Sequence, residues 1–482
     1  MSTMPIRIDW LLLALWLPAP CLAGQSLSRL QHSALESVEG LTPGIAELSG
    51  RLWDLAETEL EEQDSARVLS RFLEAEGFAI ELGAAGLATA FVASWGEGRP
   101  IIGLLADYDA LPDVGNAPVP RTEARADGIT SGHACGHNLL AAGSAAAAVA
   151  LRRVLEEQAI PGTIRLYGTP AEESKLGKVY MARAGLFADL DAALTWHPAP
   201  QTAVGNQAGT AMNDFTVEFF GTPAHSSAQP WEGRSALDAL EMFNFGVNLL
   251  REHMRPSARI QYVIQQGGAT PREVPDYARA WYWIRDTSRP AVDSLFERIG
   301  KIAQGAAVAT ETRVQIGLRT GVHEILLNRP LQEALQRNLE LVGAPHFSSE
   351  EVAFAGQLQV EMGLEKRGFD TGIQPLSEGS NPPAAGSNDL AEVSWITPAA
   401  RFLMTAIPPG VELHSRQASA CFGTRDSWKP AVKAAGVLTL TALDLFTNAT
   451  LRRSARSDFE ARTAGVPYRS PVATNDGVPR IP

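Results

Sequence analysis

The sequence IIGLLADYDALP, residues 101–112, joins an apolar segment to a polar ending. Residues 101–106 are apolar throughout, which is typical of a central strand buried on both faces of a helix-covered sheet. Further strand-like runs cover residues 88–94, 163–169 and 192–195. Helical patterns alternate with these strands, which predicts an α/β fold with a helix-covered mixed sheet. The helices predicted around the strands span residues 42–60, 65–76 and 139–157.

Polar residues that end these runs are candidate site residues, because open α/β sheets bind ligands at the carboxyl ends of their strands. In the segment GHACGH, residues 132–137, Cys135 and His137 are close enough in sequence for both to reach one metal ion. Scattered ligands at strand ends are typical of a catalytic metal centre, whereas compact structural zinc sites usually offer two close pairs of Cys or His. The further candidate ligands stand at strand ends or beside a turn: Glu172, Glu173, His197 and His414.

Each of these residues also has a plain alternative interpretation. Cys135 could be a buried thiol, and the histidines could be satisfied packing or loop residues. Glu172 and Glu173 could be the solvated start of a helix. The pattern as a whole favours the catalytic metal centre over these alternatives.

The overall composition sets bounds on the class of protein. A length of 482 residues exceeds what one hydrophobic core usually serves, which predicts at least two domains. The chain is 45% hydrophobic and 20% charged, as expected of an ordinary globular protein. Its net charge of −13 and the lack of a Lys/Arg run argue against nucleic acid as the main partner.

The N-terminal residues have the pattern of a signal peptide. Arg7 precedes an apolar stretch at residues 10–17, and small residues follow near the expected cleavage point. This apolar stretch is shorter than the about 20 residues that span a bilayer. We therefore expect a signal peptide at residues 1–23 and an exported protein, periplasmic or secreted, without a membrane span. Attachment of a lipid to Cys21 is the alternative.

The cysteine count excludes a disulfide framework. Once the leader is removed, only Cys135 and Cys421 remain. A lone thiol in an oxidising compartment survives best when a metal holds it as a thiolate. The count thus agrees with a metal-bound Cys135.

The pattern of elements changes near residue 208. The order strand-helix-strand-strand-helix-strand is that of a ferredoxin-like (α+β) domain, which predicts an inserted domain at residues 209–325. The catalytic domain is then discontinuous, at residues 24–208 and 326–453. Residues 454–482 are polar, lack an apolar period and are predicted to form a flexible tail. The predicted elements are strands 215–220, 259–266, 277–285 and 314–318, helices 235–253 and 291–308 in the insert, and helices 331–342 and 431–446 after it.

Several short motifs occur in an order that is known from one protein family. The chain resembles the di-metal amidohydrolase and peptidase family of aminoacylases, auxin-conjugate hydrolases and carboxypeptidase G, and most closely its aminobenzoyl-glutamate hydrolase branch. The match spans roughly residues 42–446. Each motif is weak alone, but the ordered set is specific. The motifs are ADYDALP (106–112), SGHACGHN (131–138), GTPAEE (168–173), WHP (196–198), PAHSS (223–227), GRSALDALEMFN (233–244), GSNDLAEVSW (386–395) and ELHS (412–415).

The resemblance implies a site with two divalent metal ions per chain, zinc or manganese, bridged by Cys135. Glu172 would act as general base, taking a proton from the water that forms the metal-bridged hydroxide and passing it to the departing amine. Asp107 would orient one of the ligands. The ligands that complete the two spheres would be His137, Glu173, His197 and His414.

The resemblance also implies an activity and an assembly. The enzyme would cleave the amide bond of small N-acyl amino acids or dipeptide-like substrates, such as aminobenzoyl-glutamate. The insert would serve as lid and homodimerisation domain, and its His225 would reach the site of the partner subunit to stabilise the oxyanion. The alternative is a catalytically silent relative that acts as a binding or scaffold protein.

The resemblance finally implies residues that bind substrate, among them Arg285 for the substrate carboxylate. Relatives commonly carry Asn in a Pro-Asn-x-x-Pro turn of the insert, where this chain has Arg272. Two guanidinium groups would favour amino-acid products with a second carboxylate. The competing interpretation is that Glu273 or Asp276 neutralises Arg272 at the surface. Two further candidate substrate-binding residues lie in the GSNDLAEVSW motif: Ser387 and Asn388.

Overall fold

The computed structural model describes residues 27–377 and 386–472. The predicted signal peptide and Cys21 therefore lie outside the described residues. The strands are β1 (Ala79–Leu82), β2 (Phe91–Glu97), β3 (Ile101–Asp107), β4 (Gly162–Thr169), β5 (Ala192–Ala199), β6 (Ala203–Val204), β7 (Ala211–Phe220), β8 (Arg259–Gln266), β9 (Tyr277–Asp286), β10 (Arg313–Val322) and β11 (Ala399–Thr405). The helices are α1 (Arg29–Gly40), α2 (Thr42–Leu55), α3 (Gln63–Ala75), α4 (His137–Glu157), α5 (Gly177–Arg183), α6 (Ala236–Leu250), α7 (Arg289–Ala309), α8 (Arg329–Val342), α9 (Ser349–Glu361), α10 (Leu390–Ser394), α11 (Arg416–Phe422), α12 (Lys429–Thr447) and α13 (Ala449–Thr463).

The larger sheet has seven strands in the order β1-β2-β4-β3-β5-β11-β6. β3 runs parallel to both β4 and β5, and β5 runs parallel to β11, so these four strands end at the same edge. β2 and β6 pair antiparallel with their neighbours. The mixed, helix-covered sheet predicted from the sequence is confirmed, and the parallel strands bring their carboxyl ends together.

Two apolar helices pack against this sheet. α4 and α12 pack on each other and on the strands, and nearly all of their residues are buried. Both are long and apolar enough to cross a bilayer, yet 89% and 78% of their most apolar segments are buried inside the protein. That burial is expected of core helices.

The smaller sheet has four strands in the order β10-β7-β9-β8, all antiparallel, with α6 and α7 packed against it. This is the β-α-β-β-α-β order that the sequence predicts for a ferredoxin-like insert. The two chain crossings meet in one backbone hydrogen bond, in which Ile325 N–H donates to the carbonyl of Ala208 at 2.7 Å.

The structure differs from the prediction for helix 42–60. α2 ends at Leu55 because Ala56 adopts a left-handed conformation, φ 43°, and its N–H donates to the carbonyl of Leu52. The next residues form a separate connection to α3.

The prediction of a flexible tail from residue 454 is wrong for its first part, because α13 extends to Thr463. Asn448 caps this helix, accepting hydrogen bonds from the N–H groups of Thr450 and Leu451. Leu451 and Ala455, four residues apart, bury one face of the helix against its neighbours. This short spacing was too weak an apolar signal to recognise in a polar sequence. Residues 473–482 lie outside the described residues.

Candidate metal centre

The polar ending of β3 holds one of the candidate ligands in place. The Nδ1–H of His137 donates to Oδ1 of Asp109 at 2.8 Å, and Oδ2 of Asp109 accepts the N–H of Glu173, also at 2.8 Å. Both Asp109 and His137 are buried. The bond to Nδ1 leaves Nε2 of His137 available as a ligand atom, as in metal sites where a carboxylate orients the histidine.

The role predicted for Asp107 therefore belongs to Asp109. Asp107 is still part of β3, opposite Thr169 in β4, and its carboxylate binds the hydroxyl of Thr169 and Nζ of Lys178. Asp109 lies beyond the end of the strand, where it reaches His137. The sequence offered two aspartates two residues apart, and only the point at which β3 ends separates their environments.

The GHACGH segment turns sharply into α4. Gly136 has φ 76°, and a Cβ at this residue would lie 2.8 Å from both Phe422 and Pro198, so glycine is required. The turn places Sγ of Cys135 3.2 Å from Nε2 of His197. Nδ1–H of His197 donates to the carbonyl of Pro198 at 2.7 Å, which leaves Nε2 as the ligand atom.

The two adjacent glutamates make different contacts. Oε2 of Glu173 lies 3.2 Å from Nε2 of His414, which is brought there by a left-handed residue conformation of φ 63°. Oε1 of Glu172 instead accepts a hydrogen bond of 2.7 Å from Nδ2 of Asn388. One glutamate thus joins the histidine ligands, and the other is held separately beside them.

Three sets of potential ligand atoms lie within 4.8 Å of one another. Cys135 belongs to two of them, first with His137 and His197, and then with Glu173 and His414. The third set joins His137 with the two glutamates, Glu172 and Glu173. The structure therefore brings together all five ligands that the sequence predicts, with the thiol shared between two triads.

The donor set fits divalent metal ions. Nε2 of His137 and Oε1 of Glu173 are buried and have no hydrogen-bond partner among the described residues. A buried polar atom without a partner is costly unless something else binds it. Thiolate, imidazole and carboxylate together suit zinc or manganese, and do not decide between them.

Burial and neighbouring charges shift the acid-base properties of these groups. Burial, followed by the charge of Glu173, raises the pKa of Cys135 well above its ordinary value, so a cation is needed to make it a thiolate. The same two causes raise the pKa of Glu172 well above its ordinary value. Burial opposes ionisation of Glu173, but the hydrogen bond from His414 prevails and lowers its pKa to about 2. The adjacent carboxyls are thus poised for different tasks.

The predicted substrate residues of the insert lie outside the ligand cluster. His225 is exposed, and its Nδ1 accepts the N–H groups of Ser227 and Ala228 at 3.2 Å. Arg272 follows in the adjacent turn, where its carbonyl accepts the N–H of Ser226. Arg285 is half-buried, and its guanidinium lies 5.0 Å from the ring centre of a neighbouring tryptophan.

The two candidates in the GSNDLAEVSW motif have different contacts. Asn388 binds Glu172, so its amide contacts the predicted base. The hydroxyl of Ser387 lies 3.1 Å from that of Thr210, at the start of the insert. Neither contact involves the two ligand triads.

Two charged groups near the centre were missed by sequence reasoning. Lys178 is buried, and its Nζ lies 2.5 Å from Asp107 and 2.6 Å from Asp389. Arg401 in β11 has its pKa lowered by burial, opposed by the charges of Glu172 and Cys135. A lysine inside an otherwise apolar helical segment, and an arginine inside an apolar strand, were the available signals.

With the geometry described, comparison with known proteins shows the class of this chain. Residues 103–443 match Peptidase family M20/M25/M40, and the chain belongs to that family. It is a hydrolase that acts on amide bonds, as the sequence predicts.

The relatives that can be named span nearly the whole chain. The chain is 33% identical to one of the two p-aminobenzoyl-glutamate hydrolase subunits of Escherichia coli (strain K12), over 91% of this chain and 97% of that protein. It is 29% identical to the Xaa-Arg dipeptidase of Homo sapiens, over 92% and 94% of the respective chains.

Solved structures share the fold. An aminobenzoyl-glutamate utilization protein from Klebsiella pneumoniae superposes with a TM-score of 0.58 at 18% identity, covering 84% of this chain and 97% of that one. A dinuclear metal-binding peptidase of the M20 family from Bacillus subtilis gives a TM-score of 0.56 at 18% identity, covering 84% and 99%.

Proposed function

We propose that this protein is a dinuclear metal-dependent amidohydrolase that cleaves small N-acyl amino acids or dipeptide-like substrates. The observation that carries the proposal is the pair of ligand triads that share Cys135, with Glu172 held beside them by Asn388. The triads would hold two divalent ions, and Glu172 would be left for proton transfer.

The chain's own residues supply the acid-base step. Metal ions bound here would polarise the scissile carbonyl and lower the pKa of a bound water towards about 7. Glu172 takes a proton from the attacking water and gives it to the departing amine. A carboxyl with a raised pKa suits both halves of this transfer near neutral pH.

We further propose that the preferred products carry a second carboxylate. The named relatives do not agree on substrate charge, because one is named for p-aminobenzoyl-glutamate and the other for Xaa-Arg dipeptides. Two contacts of this chain support the acidic choice. Among the described residues, Arg272 forms no ion pair with Glu273 or Asp276, and its Nε instead lies 3.3 Å from the hydroxyl of Thr270. Arg285 provides a second guanidinium on the insert.

The assembly we propose is a homodimer formed through the insert. Met242, Phe245 and Leu249 lie on one face of α6 and are 48%, 64% and 53% exposed. Val263 and Ile264 are 55% and 50% exposed on β8, which is the edge strand of the smaller sheet. An exposed apolar helix face beside an open strand edge is an expected protein interface. In such a dimer His225 would complete the partner's site.

The proposed location is outside the cytoplasm, in the periplasm or the medium. The support is the leader pattern at residues 1–23. Cell fractionation with N-terminal sequencing of the mature chain tests it, and a mature protein that retains residue 1 in the cytoplasm would refute export.

The function is tested by a substrate panel with metal-loaded protein. Purified protein reconstituted with zinc or manganese should release free amino acid from some members of an N-acyl amino acid panel, including aminobenzoyl-glutamate. A chelator should abolish the release, and added metal should restore it. If metal-loaded, folded protein cleaves no member of a broad panel, the catalytically silent alternative is correct.

A further inference from the structure

The turn that carries the two glutamates has an unusual backbone. Ala171, just before Glu172, is buried and adopts a left-handed conformation with φ 54°. Its carbonyl accepts the N–H groups of Lys175 and Leu176 at 3.0 and 2.7 Å, which closes the turn. A residue with a Cβ is disfavoured in this conformation, so surrounding contacts must hold it there.

A carboxylate from a distant part of the chain makes one of these contacts. Glu62 is fully buried, and its Oε1 accepts the N–H of Ala171 at 3.0 Å. On the other side of Glu172, Asp109 accepts the N–H of Glu173. Two buried carboxylates therefore bind the backbone on both sides of the general base.

Capping of α3 does not explain why Glu62 is buried. Glu62 stands at the N-cap position, but its side chain makes no capping hydrogen bond. Glu57 caps the helix instead, with its two carboxylate oxygens accepting the N–H groups of Asp64 and Ser65 at 3.1 and 2.7 Å. The second oxygen of Glu62 has no hydrogen-bond partner among the described residues. A buried carboxyl is costly, and the hydrogen bond to the turn offsets part of that cost.

The segment that carries Glu62 is itself held against the site. Glu59 and Leu60 are consecutive left-handed residues, with φ of 47° and 69°. The carbonyl of Glu57 accepts the N–H of Ala110 at 2.8 Å, and Glu59 lies 3.6 Å from Nζ of Lys175. The segment thus contacts both the loop after β3 and the turn after β4.

We propose that Glu62 is a positioning residue for the general base, which holds the 171–173 turn through the N–H of Ala171 and so sets where Glu172 and Glu173 stand. This role rests on the proposed amidohydrolase function. It needs an acceptor oxygen at the right distance and not a negative charge. Glu62 would therefore affect turnover more than substrate binding.

Four variants separate this role from a general structural one. Glu62→Gln keeps an acceptor oxygen, Glu62→Met keeps the length without an acceptor, and Glu62→Asp keeps the charge but withdraws the oxygen. Glu61→Gln changes the exposed neighbour and is the control. We expect kcat within about 3-fold of the unaltered protein for Glu62→Gln and Glu61→Gln. Glu62→Met and Glu62→Asp should lower kcat about 10- to 100-fold with KM nearly unchanged, as is usual for groups that orient ligands.

A second measurement does not depend on activity. Protein loaded with Co²⁺ alone has an absorption spectrum that reports ligand geometry, and Glu173 stands on the same turn. Glu62→Met and Glu62→Asp should change this spectrum, and Glu62→Gln should not. Because it is read without substrate, this outcome stands even if no amide is cleaved. An unaltered spectrum and kcat in either folded variant, Glu62→Met or Glu62→Asp, or a loss in Glu62→Gln equal to that in Glu62→Met, overturns the proposal.

Discussion

Nδ2 of Asn388 donates a hydrogen bond of 2.7 Å to Oε1 of Glu172, although 216 residues separate the two. The next residue, Asp389, is buried and binds both the N–H and Nζ of Lys178. The segment after residue 386 is therefore tied to the catalytic domain at the point where it reaches the proposed base. Asn388 limits the positions that the carboxylate of Glu172 can take.

The first prediction concerns this contact. Replacing Asn388 by Leu removes the donor, and a hydrogen bond to a charged group contributes about 1.5–3 kcal/mol, so kcat should fall about 10- to 150-fold. Ser387→Ala is the matched control and should stay near the unaltered rate. If the Asn388→Leu variant raised only KM, Asn388 would bind substrate, as the sequence suggested, and would not position Glu172.

The second prediction separates the two aspartates after the first apolar strand. Asp109→Asn weakens the acceptor that orients His137 and should lower metal affinity about 10- to 100-fold. Asp107→Asn should leave metal affinity near normal. It should lower the melting temperature instead, because it removes the charge of one partner of the buried Lys178. Competition with a chelator measures affinity, and thermal unfolding measures stability. The reverse assignment of the two effects would restore the sequence-based interpretation.

The sequence predicted the ligands well because each stands in a short motif at the end of an apolar run. Such motifs are local, and parallel strands bring their ends to one edge whatever the loops between them do. Cys135 and His197 are examples of this. The choice between Asp107 and Asp109 could not be made, because it depends on where β3 stops.

Contacts between distant segments could not be predicted. No local pattern indicates that Asn388 reaches Glu172, or that Glu62 reaches Ala171. In both pairs a side chain binds across the fold, and only the packed arrangement of the loops specifies it. The helix α13 was missed for a different reason, since its buried positions are few and its sequence is polar.

The third prediction concerns assembly. If His225 completes the site of the partner subunit, His225→Ala and Glu172→Gln should each be inactive as homodimers. Mixed heterodimers contain one site with both functional residues, so part of the activity should return on mixing. Each variant kept by itself is the control. A fully active monomer in dilute solution would contradict the proposed dimer.

The fourth prediction concerns substrate charge. Arg272→Asn should lower kcat/KM for an N-acyl-glutamate about 10-fold or more, since one charged hydrogen bond is lost. Matched N-acyl-leucine and N-acyl-lysine substrates serve as controls and should change little. An equal loss for all three substrates would mean that Arg272 supports the turn beside His225 and does not select the product.

The most direct measurement of the central claim is the metal content and the turnover of Glu172→Gln beside the unaltered protein. The account predicts about two metal ions per chain in both proteins. It also predicts near-normal folding and a rate lowered about 10²- to 10⁴-fold in the variant, which is the usual contribution of a general base. One ion or fewer per chain in fully active protein, or unchanged turnover in the folded variant, would contradict it.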